Sequence, residues 1–441
     1  MPDRGASRGR ARLDRPRDAA LDVLTAVRVD GAYANLVLPQ VVRRHRLDAR
    51  DAAFATELAS GAIRLQGLYD AVVDACLTRP RLQPEVRDVL RLGCHQLLSM
   101  RVPDHAAIST SVDLVRGRVG TGPTGLVNAV LRKVSARSTD AWVAAVAPDR
   151  DADLLSHLAV AHSHPRWVVA LLDEALATPA ELGDLLAADN APPAVTLVAR
   201  PGLATVAELV AAGAHPTSRS PYGAVLAGGD PGTVAAVAEG RAGVQDEGSQ
   251  LVTLALLEAE VVGRDERWLD LCAGPGGKAA LLAALAAQRG AHVTAHERQP
   301  HRAALVSRAV GALPPGTVSV VAGDGARPSW RPETFDRVLV DAPCTGLGAL
   351  RRRPESRWRR TPADLAALVP LQQVLLDVAL DSVRPGGVVV YATCSPVLAE
   401  TSGVVDAVLG RRGDTAIESS FQLWPHRDGT DAMYAATLRR R

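Results

Sequence analysis

The spacing of apolar residues divides the chain into a helical first part and a later part in which strands alternate with helices. In the segment VNAVLRKV, Val127, Val130, Leu131 and Val134 follow the i, i+3, i+4, i+7 spacing of a helix with one buried face. The segment RLQPEVRDVLRLGCHQLL has the same kind of spacing. Strand-like alternation is missing from this part, so residues 17–145 are predicted to form an all-helical domain.

A different pattern follows from residue 146 to residue 240. Short β-type pieces such as AVTLVAR precede helix-like pieces such as TVAELVAAG, and a Pro-Pro pair and several glycines mark turns. This mixture predicts a small α+β adaptor.

The last part, residues 241–441, alternates strongly apolar runs with amphipathic helices. RWLDLC, HVTAHE, TVSVVAGD, DRVLVDAP and GVVVYATC are predicted strands, and most are apolar on both faces. Strands of that kind belong to a parallel sheet that helices cover on both sides. We therefore predict a Rossmann-like α/β domain, in which ligands bind at the carboxyl ends of the strands.

Composition and charge narrow the class of protein. The 441 residues are 47% hydrophobic and 22% charged, which suits a globular multidomain chain. A net charge of +2 gives no general affinity for nucleic acid, so any basic surface must be local. Residues 1–16 are expected to be a flexible basic tail, and no secretory signal or membrane span is expected. The five cysteines have no metal-ligand spacing, which favours reduced thiols in a cytoplasm and no metal site.

A glycine-rich turn lies between the first predicted strand of the last domain and the helix after it, in DLCAGPGGKAALL. Gly274, Gly276 and Gly277 allow a tight turn and let a ligand approach the backbone. The spacing differs from that of a P-loop and from GxGxxG, so a phosphate site is not the natural interpretation.

Three acids occur at or near successive strand ends around this turn. Asp270 precedes the turn, Glu297 ends the next strand, and Asp324 follows the third. A carboxylate at such a position can accept hydrogen bonds from ribose hydroxyls, and Asp324 is placed to meet an adenine amino group. Each acid alone could equally cap a helix or a turn, but together the three favour an adenosine-containing cofactor.

Two cysteines, Cys344 and Cys394, end the fourth and fifth predicted strands of this domain. An isolated cysteine usually packs as a small hydrophobic residue, and the thiols of Cys76, Cys94 and Cys272 are interpreted in that way. Two thiols at neighbouring strand ends, above a nucleoside site, instead indicate thiol chemistry.

Basic residues are distributed unevenly near these motifs. Six of the ten residues from Arg351 to Arg360 are arginine. Arg351, Arg352, Arg353 and Arg357 are predicted to contact RNA phosphates, although a solvated charged loop is the alternative. Lys278, one of two lysines in the chain, is predicted to act as a point charge in the site, with a position on a helix surface as the alternative.

The segments DLCAGPGGK, DAPC and TCS resemble the motifs of S-adenosylmethionine-dependent RNA cytosine-5 methyltransferases of the NOL/NOP2/Sun family. RDAAFATELASGAIR and VNAVLRKV resemble the NusB-like domain that precedes the methyltransferase in the bacterial small-subunit ribosomal RNA members. SHPRWVV and NAPPAVTL fit the adaptor of that arrangement, and DGTDAMYAATLRR resembles the family's closing strand. The resemblance covers nearly the whole chain.

This resemblance implies a mechanism and a cofactor. Cys394 of TCS would attack C6 of cytosine, Asp341 of DAPC would bond or protonate N3, and Cys344 would assist release of the product. Lys278 matches a family lysine and is expected to be catalytic. The residues expected to contact S-adenosyl-L-methionine are Cys272, Ala273, Gly274, Pro275, Gly276, Gly277, Lys278, Glu297, Arg302, Asp324 and Asp341.

Several alternatives stay open at this point. The expected substrate is small-subunit 16S ribosomal RNA, with tRNA or another ribosomal position as the alternative, and a non-enzymatic RNA-binding or ribosome assembly factor as another. A DNA cytosine-5 enzyme or a small-molecule methyltransferase fits the two thiols and the arginine loop less well. A cytoplasmic monomer is expected. The run LAETSG, with Glu400 and Thr401, departs from the family's Glu-Glu-Asn and is expected to affect only a peripheral contact.

Overall fold

The computed structural model describes residues 13–78 and 81–441, which form two compact units. The first unit runs to Ala170 and also contains Arg352–Arg359, and the second contains Leu171–Arg351 and Arg360–Arg441. Most of the predicted basic tail, residues 1–16, lies outside the described residues. The described part begins its first helix at Arg15, inside that predicted tail.

The first unit is helical throughout its described residues, as predicted. Its core contains Leu58, Tyr69, Leu90 and Leu131, all fully buried. The helices are α1 (Arg15–Val29), α2 (Ala34–His45), α3 (Ala49–Arg64), α4 (Gln66–Cys76), α5 (Pro84–Leu98), α6 (Asp104–Arg118), α7 (Thr124–Val134), α8 (Thr139–Val146), α9 (Leu154–Ala161) and α10 (Arg166–Ala175), the last of which crosses into the second unit. The four apolar residues of VNAVLRKV are all buried in α7, which confirms the predicted helix face.

The second unit begins with a small mixed α/β element. Its helices and strands are α11 (Leu182–Asp189), β1 (Val195–Ala199), α12 (Val206–Ala211), β2 (Ala214–Pro216), β3 (Gly223–Leu226), α13 (Ala235–Ala238) and β4 (Ala242–Val244). The strands form an antiparallel sheet in the order β2-β3-β1-β4. Because β4 completes this sheet, the element extends past the predicted boundary at residue 240.

The remainder of the second unit is the predicted Rossmann-like domain. Its elements are α14 (Glu247–Glu258), β5 (Arg267–Asp270), α15 (Gly277–Ala287), β6 (His292–Glu297), α16 (Pro300–Ala309), β7 (Val318–Ala322), β8 (Phe335–Asp341), α17 (Ser356–Arg359, in the first unit), α18 (Pro362–Ser382), β9 (Val383–Thr393), α19 (Ser402–Leu409), β10 (Thr415–Gln422), α20 (Pro425–Asp428) and β11 (Tyr434–Arg440). The seven strands lie in the order β10-β11-β9-β8-β5-β6-β7. The five strands predicted from their apolar runs are parallel, whereas β10 and β11 are antiparallel, so the sheet is mixed.

Helix α18 is long and apolar enough to cross a membrane by length and composition alone. In this fold its residues Leu375, Leu376 and Leu380 lie in one core cluster with Val338 of β8 and Val389 of β9. The apolar residues of α18 therefore cover one face of the sheet.

Candidate active site

The predicted site residues lie along one edge of the seven-stranded sheet. Because β5 to β9 run parallel, their carboxyl ends meet at this edge. Asp270, Glu297 and Asp341 end β5, β6 and β8, while Asp324 and Cys394 follow β7 and β9. The fold thus brings to one edge motifs that lie far apart in the sequence.

The glycine turn is held in place by Glu297. One carboxylate oxygen of Glu297 accepts a hydrogen bond from the Gly274 amide at 3.0 Å, and the other accepts one from Gln299 at 2.9 Å. Arg302 donates to the Gly274 carbonyl at 2.6 Å. A Cβ atom at Gly274 would lie 2.0 Å from Oε2 of Glu297, so any larger residue would displace the carboxylate that holds the turn.

Asp270 is fully buried, and neither of its carboxyl oxygens has a hydrogen-bond partner among the described residues. Burial, reinforced by the negative charge of Asp341, raises the pKa of Asp270 to about 7. A buried carboxylate without a partner is costly unless a ligand supplies a donor or a positive charge. Such a carboxylate, directly before the glycine turn, fits a cofactor that carries an ammonium group.

The other residues predicted to contact the cofactor surround the same turn. Asp324 is half-buried, and its Oδ1 accepts a hydrogen bond from the Ala326 amide at 3.1 Å. Cys272 packs at the edge of a core cluster, and burial raises the pKa of its thiol well above the usual range. Pro275 is exposed and Ala273 is buried. Within the described ranges, no group of three or more His, Cys, Asp or Glu side chains could hold a metal ion.

Lys278 and Asp341 form an ion pair, with Nζ 2.8 Å from Oδ2. Lys278 also donates to Oγ of Ser249 at 3.4 Å, a contact that the sequence analysis missed. Burial by itself would lower the pKa of Lys278, but the Asp341 carboxylate and the nearby Cys394 outweigh burial and raise it. Lys278 therefore stays protonated and places a positive charge near the cysteine thiol.

The two predicted thiols are neighbours, with Sγ of Cys344 3.4 Å from Sγ of Cys394. The hydrogen bond with Cys394, followed by burial, raises the pKa of the Cys344 thiol well above the usual range. Cys344 therefore keeps its proton and can donate it toward the sulfur of Cys394. Cys394 is the more exposed of the two.

Glu400 connects the loops around the two cysteines. It is fully buried, and Oε1 accepts hydrogen bonds from the Thr345 amide at 2.7 Å and from Gln372 at 3.0 Å. Gln372 also donates to the carbonyl of Pro343 at 2.9 Å, directly before Cys344. The prediction that this segment is peripheral is wrong, because Glu400 holds the loop that carries Cys344. In the sequence, the only local indication of this role is that Glu400 follows an apolar run.

Cys394 is positioned through its backbone. Its carbonyl accepts a hydrogen bond from the Gly348 amide at 2.9 Å, and the Gly348 carbonyl accepts one from Ala432 at 2.8 Å. A Cβ atom at Gly348 would lie 2.2 Å from the carbonyl oxygen of Ala432. The sequence analysis missed Gly348, because the need for glycine comes from Ala432, in the segment before β11, which lies far away in sequence.

The arginines of the basic loop have different surroundings. Arg351 is buried and donates to the Gly429 carbonyl at 2.8 Å. Arg357 lies in the first unit, is fully buried, and donates to the Ser163 carbonyl at 3.2 Å. Both side chains therefore contact carbonyl groups inside the protein, whereas the sequence analysis predicted that Arg351 and Arg357 contact RNA phosphates.

The other two predicted RNA-binding residues, Arg352 and Arg353, are half-buried in the first unit. The guanidinium of Arg353 lies over the Tyr33 ring, 4.9 Å from its centroid. Arg360 contacts the Cys344 loop, because it donates to the Thr345 carbonyl at 2.9 Å. The sequence analysis did not select this arginine.

The fold and the site define the class of protein. A Rossmann-like sheet with a cofactor turn and a thiol pair, following a helical domain, is the architecture of a methyltransferase with a NusB-like extension. Comparison with known families agrees with this class of protein. Residues 260–439 match the family model for 16S rRNA methyltransferase RsmB/F, and residues 14–136 match the NusB family.

Full-length relatives specify the family. The Mycobacterium tuberculosis protein Rv1407 is 50% identical over 459 residues, with 100% of both chains covered. Ribosomal RNA small subunit methyltransferase B of Thermus thermophilus is 34% identical over 454 residues, covering 97% of this chain and 98% of that one. The crystal structure of PH0851 shares the fold, with a TM-score of 0.79 at 22% identity over 98% of this chain and 100% of that chain. This chain belongs to the family of ribosomal RNA small subunit methyltransferases B.

Proposed function

We propose that this protein transfers a methyl group from S-adenosyl-L-methionine to C5 of a cytosine in 16S ribosomal RNA, through a covalent bond between Cys394 and C6. The observation that carries the proposal is the 3.4 Å separation of the Cys344 and Cys394 sulfurs beside the Lys278–Asp341 ion pair. The relatives named as small-subunit ribosomal RNA methyltransferases support the choice of substrate.

The cofactor site fits S-adenosyl-L-methionine, which would supply an electrophilic methyl group. Glu297 and Asp324 would contact the adenosine part, and the unpartnered carboxylate of Asp270 suits the ammonium group. Gly274 lets the Glu297 carboxylate lie against the backbone of the turn. NSun6 from Pyrococcus horikoshii, whose crystal structure contains SFG, has a similar fold at 18% identity and a TM-score of 0.52.

The two thiols would divide the covalent chemistry. Cytosine C5 is a poor nucleophile, and a bond from the Cys394 sulfur to C6 makes C5 electron-rich. The positive charge of Lys278 favours the thiolate form of Cys394. The proton released when Cys394 becomes a thiolate would protonate Asp341, which would then bond or protonate N3, where negative charge develops.

Release reverses the attack. The C5–H bond breaks and its proton passes to solvent, while its electrons restore the C5=C6 double bond and the C6–S bond breaks to return a thiolate at Cys394. The proton held on N3 would return to Asp341. The protonated thiol of Cys344 is placed to stabilise that leaving sulfur by donating a hydrogen bond across 3.4 Å. Cys344 would thus act in release and Cys394 in attack.

The RNA must present an accessible cytosine, either in a single-stranded region or flipped out of a helix. Arg352 and Arg353 are the basic-loop residues that we assign to the RNA backbone. We place the reaction in the cytoplasm, on a monomeric enzyme.

A denaturing gel with 16S RNA and radiolabelled S-adenosyl-L-methionine tests the proposal. Cys344→Ala should accumulate an RNA–protein adduct that survives denaturation, whereas Cys394→Ala should form neither adduct nor 5-methylcytosine. Cys76→Ala, which removes a thiol of the helical unit, is the matched control and should behave as wild type.

Three other results would contradict the proposal. An adduct that accumulates only in Cys394→Ala would mean that the two thiols have exchanged roles. Methylation by wild type, with no adduct in either variant and retained activity in Cys394→Ala, would exclude the covalent route. Methylation of tRNA in preference to 16S RNA would reassign the substrate.

A further inference from the structure

Gln245, in the segment between β4 and α14, has a buried side-chain amide without a partner. The residue is only 6% exposed, and neither Oε1 nor Nε2 forms a hydrogen bond within the described part of the chain. Its backbone is held firmly, because its amide donates to the Thr196 carbonyl at 2.9 Å and its carbonyl accepts from Gln250 at 3.0 Å. Each unsatisfied group costs roughly 1–3 kcal/mol, so an unpartnered amide in a fixed position suggests a ligand.

The amide lies beside the beginning of helix α15. A Cβ atom built on Gly277, the first residue of α15, would lie 3.9 Å from Cδ of Gln245 and 4.0 Å from Nε2. The residue before the helix, Gly276, offers no side-chain cap. The first amides of a helix carry a partial positive charge and have no acceptor within the helix. Two kinds of unpartnered donor therefore meet at the glycine turn.

We propose that Gln245, together with the first turn of α15, binds the carboxylate of the amino-acid part of the nucleoside cofactor, with Nε2 of Gln245 as a donor. This inference rests on the proposed function. Asp270, whose oxygens are unpartnered and which precedes the same turn, has the charge that suits the ammonium group of the same amino acid. Gln245 with the first turn of α15 would bind the carboxylate, and Asp270 would bind the ammonium group, of the cofactor's amino-acid part.

The surroundings favour a small carboxylate over an RNA phosphate. An RNA backbone follows exposed basic surfaces, whereas the Gln245 amide is buried at the turn assigned to the cofactor. A neutral donor also suits the site, because Lys278 is already paired with Asp341 at 2.8 Å and a second cation would compete for that carboxylate.

Isothermal titration calorimetry with two nucleosides tests the inference. S-adenosylhomocysteine carries the amino-acid part, and 5′-methylthioadenosine keeps the adenosine thioether without it. Gln245→Met, which keeps the length but loses both polar atoms, should bind S-adenosylhomocysteine about tenfold more weakly, the effect of one lost hydrogen bond to a charged group. Gln245→Glu should weaken it further through charge repulsion. Both variants should bind 5′-methylthioadenosine as wild type does, which also reports an intact fold.

Gln288→Met is the matched control, because Gln288 is exposed at the other end of α15. It should leave the affinity for both nucleosides unchanged. Equal weakening of both nucleosides in Gln245→Met would overturn the inference, since the side chain would then only support the turn. Unchanged affinity for S-adenosylhomocysteine with weaker RNA binding would also overturn it. If wild type binds neither nucleoside, the proposed function itself fails.

Discussion

The sulfur atoms of Cys344 and Cys394 lie 3.4 Å apart, although the two residues follow different strands of the sheet. β8 and β9 are parallel neighbours, so their carboxyl ends place the two loops side by side. The shared hydrogen bond is the largest cause of the raised pKa of Cys344, and burial is the second. The pair therefore contains one thiol that keeps its proton and a neighbour that is more exposed.

This asymmetry predicts unequal alkylation. Iodoacetamide near neutral pH should modify Cys394 faster than Cys344, because only the thiolate reacts and Cys344 is both protonated and buried. In Cys394→Ala the hydrogen bond is lost, so the pKa of Cys344 should fall and its alkylation should accelerate. Peptide mass spectrometry over time measures both rates. Faster labelling of Cys344 in the wild type would contradict this assignment of the proton.

The raised pKa of Asp270 predicts a pH dependence of stability. The folded protein holds a proton up to about pH 7, whereas the unfolded chain releases it near the ordinary value of 3.8. The free energy of unfolding should therefore fall as pH rises from about 4 to about 7. Asp270→Asn should remove about 3 kcal/mol of the part of this fall that lies between pH 5 and pH 8, measured by chemical unfolding at those two pH values.

Asp324→Asn is the control for Asp270, because Asp324 is half-buried and accepts a turn hydrogen bond. Its stability should follow the wild-type pH dependence. Asp270→Asn should also lose affinity for S-adenosylhomocysteine, since the ammonium group then lacks its carboxylate. An unchanged pH dependence in Asp270→Asn would show that Asp270 has an ordinary pKa.

Glu400 is predicted to support both stability and catalysis. Glu400→Ala leaves the Thr345 amide without an acceptor and leaves Gln372 with only the Pro343 carbonyl, which should cost about 3 kcal/mol of unfolding free energy. The Cys344 loop should loosen, so methylation should fall even where the protein is fully folded. Glu258→Ala, at an exposed helix end, is the matched control. Wild-type activity in folded Glu400→Ala would show that the loop does not need this anchor.

The basic loop is predicted to separate into RNA-binding and structural arginines. Arg353→Gln should weaken RNA binding and reduce the salt dependence of the binding constant by about one phosphate contact. Arg357→Gln should instead lower the melting temperature, because a fully buried guanidinium and its bond to Ser163 are lost. Filter binding at several salt concentrations and thermal melts measure the two effects. A reduced salt dependence in folded Arg357→Gln would reverse the assignment.

The order of helices and strands was predictable from the sequence because side-chain periodicity is a local property. The stripe in α7 and the apolar runs of β5 to β9 each appear within a few residues. The positions of Asp270, Glu297 and Cys394 at strand ends follow, since parallel strands share a carboxyl edge. The antiparallel pair β10 and β11 was less visible, because β10 is largely exposed and lacks a continuous apolar run.

The tertiary structure alone decided which side chains support the site. Glu400 and Gly348 depend on partners that lie far away in sequence, so no local pattern marks them. Likewise, Arg357 is buried inside the first unit although its sequence neighbours are equally basic, and only the folded structure shows this difference. Sequence by itself determined the chemical groups and the strands that present them. Their pairing, burial and pKa values depend on distances that exist only after the chain has folded.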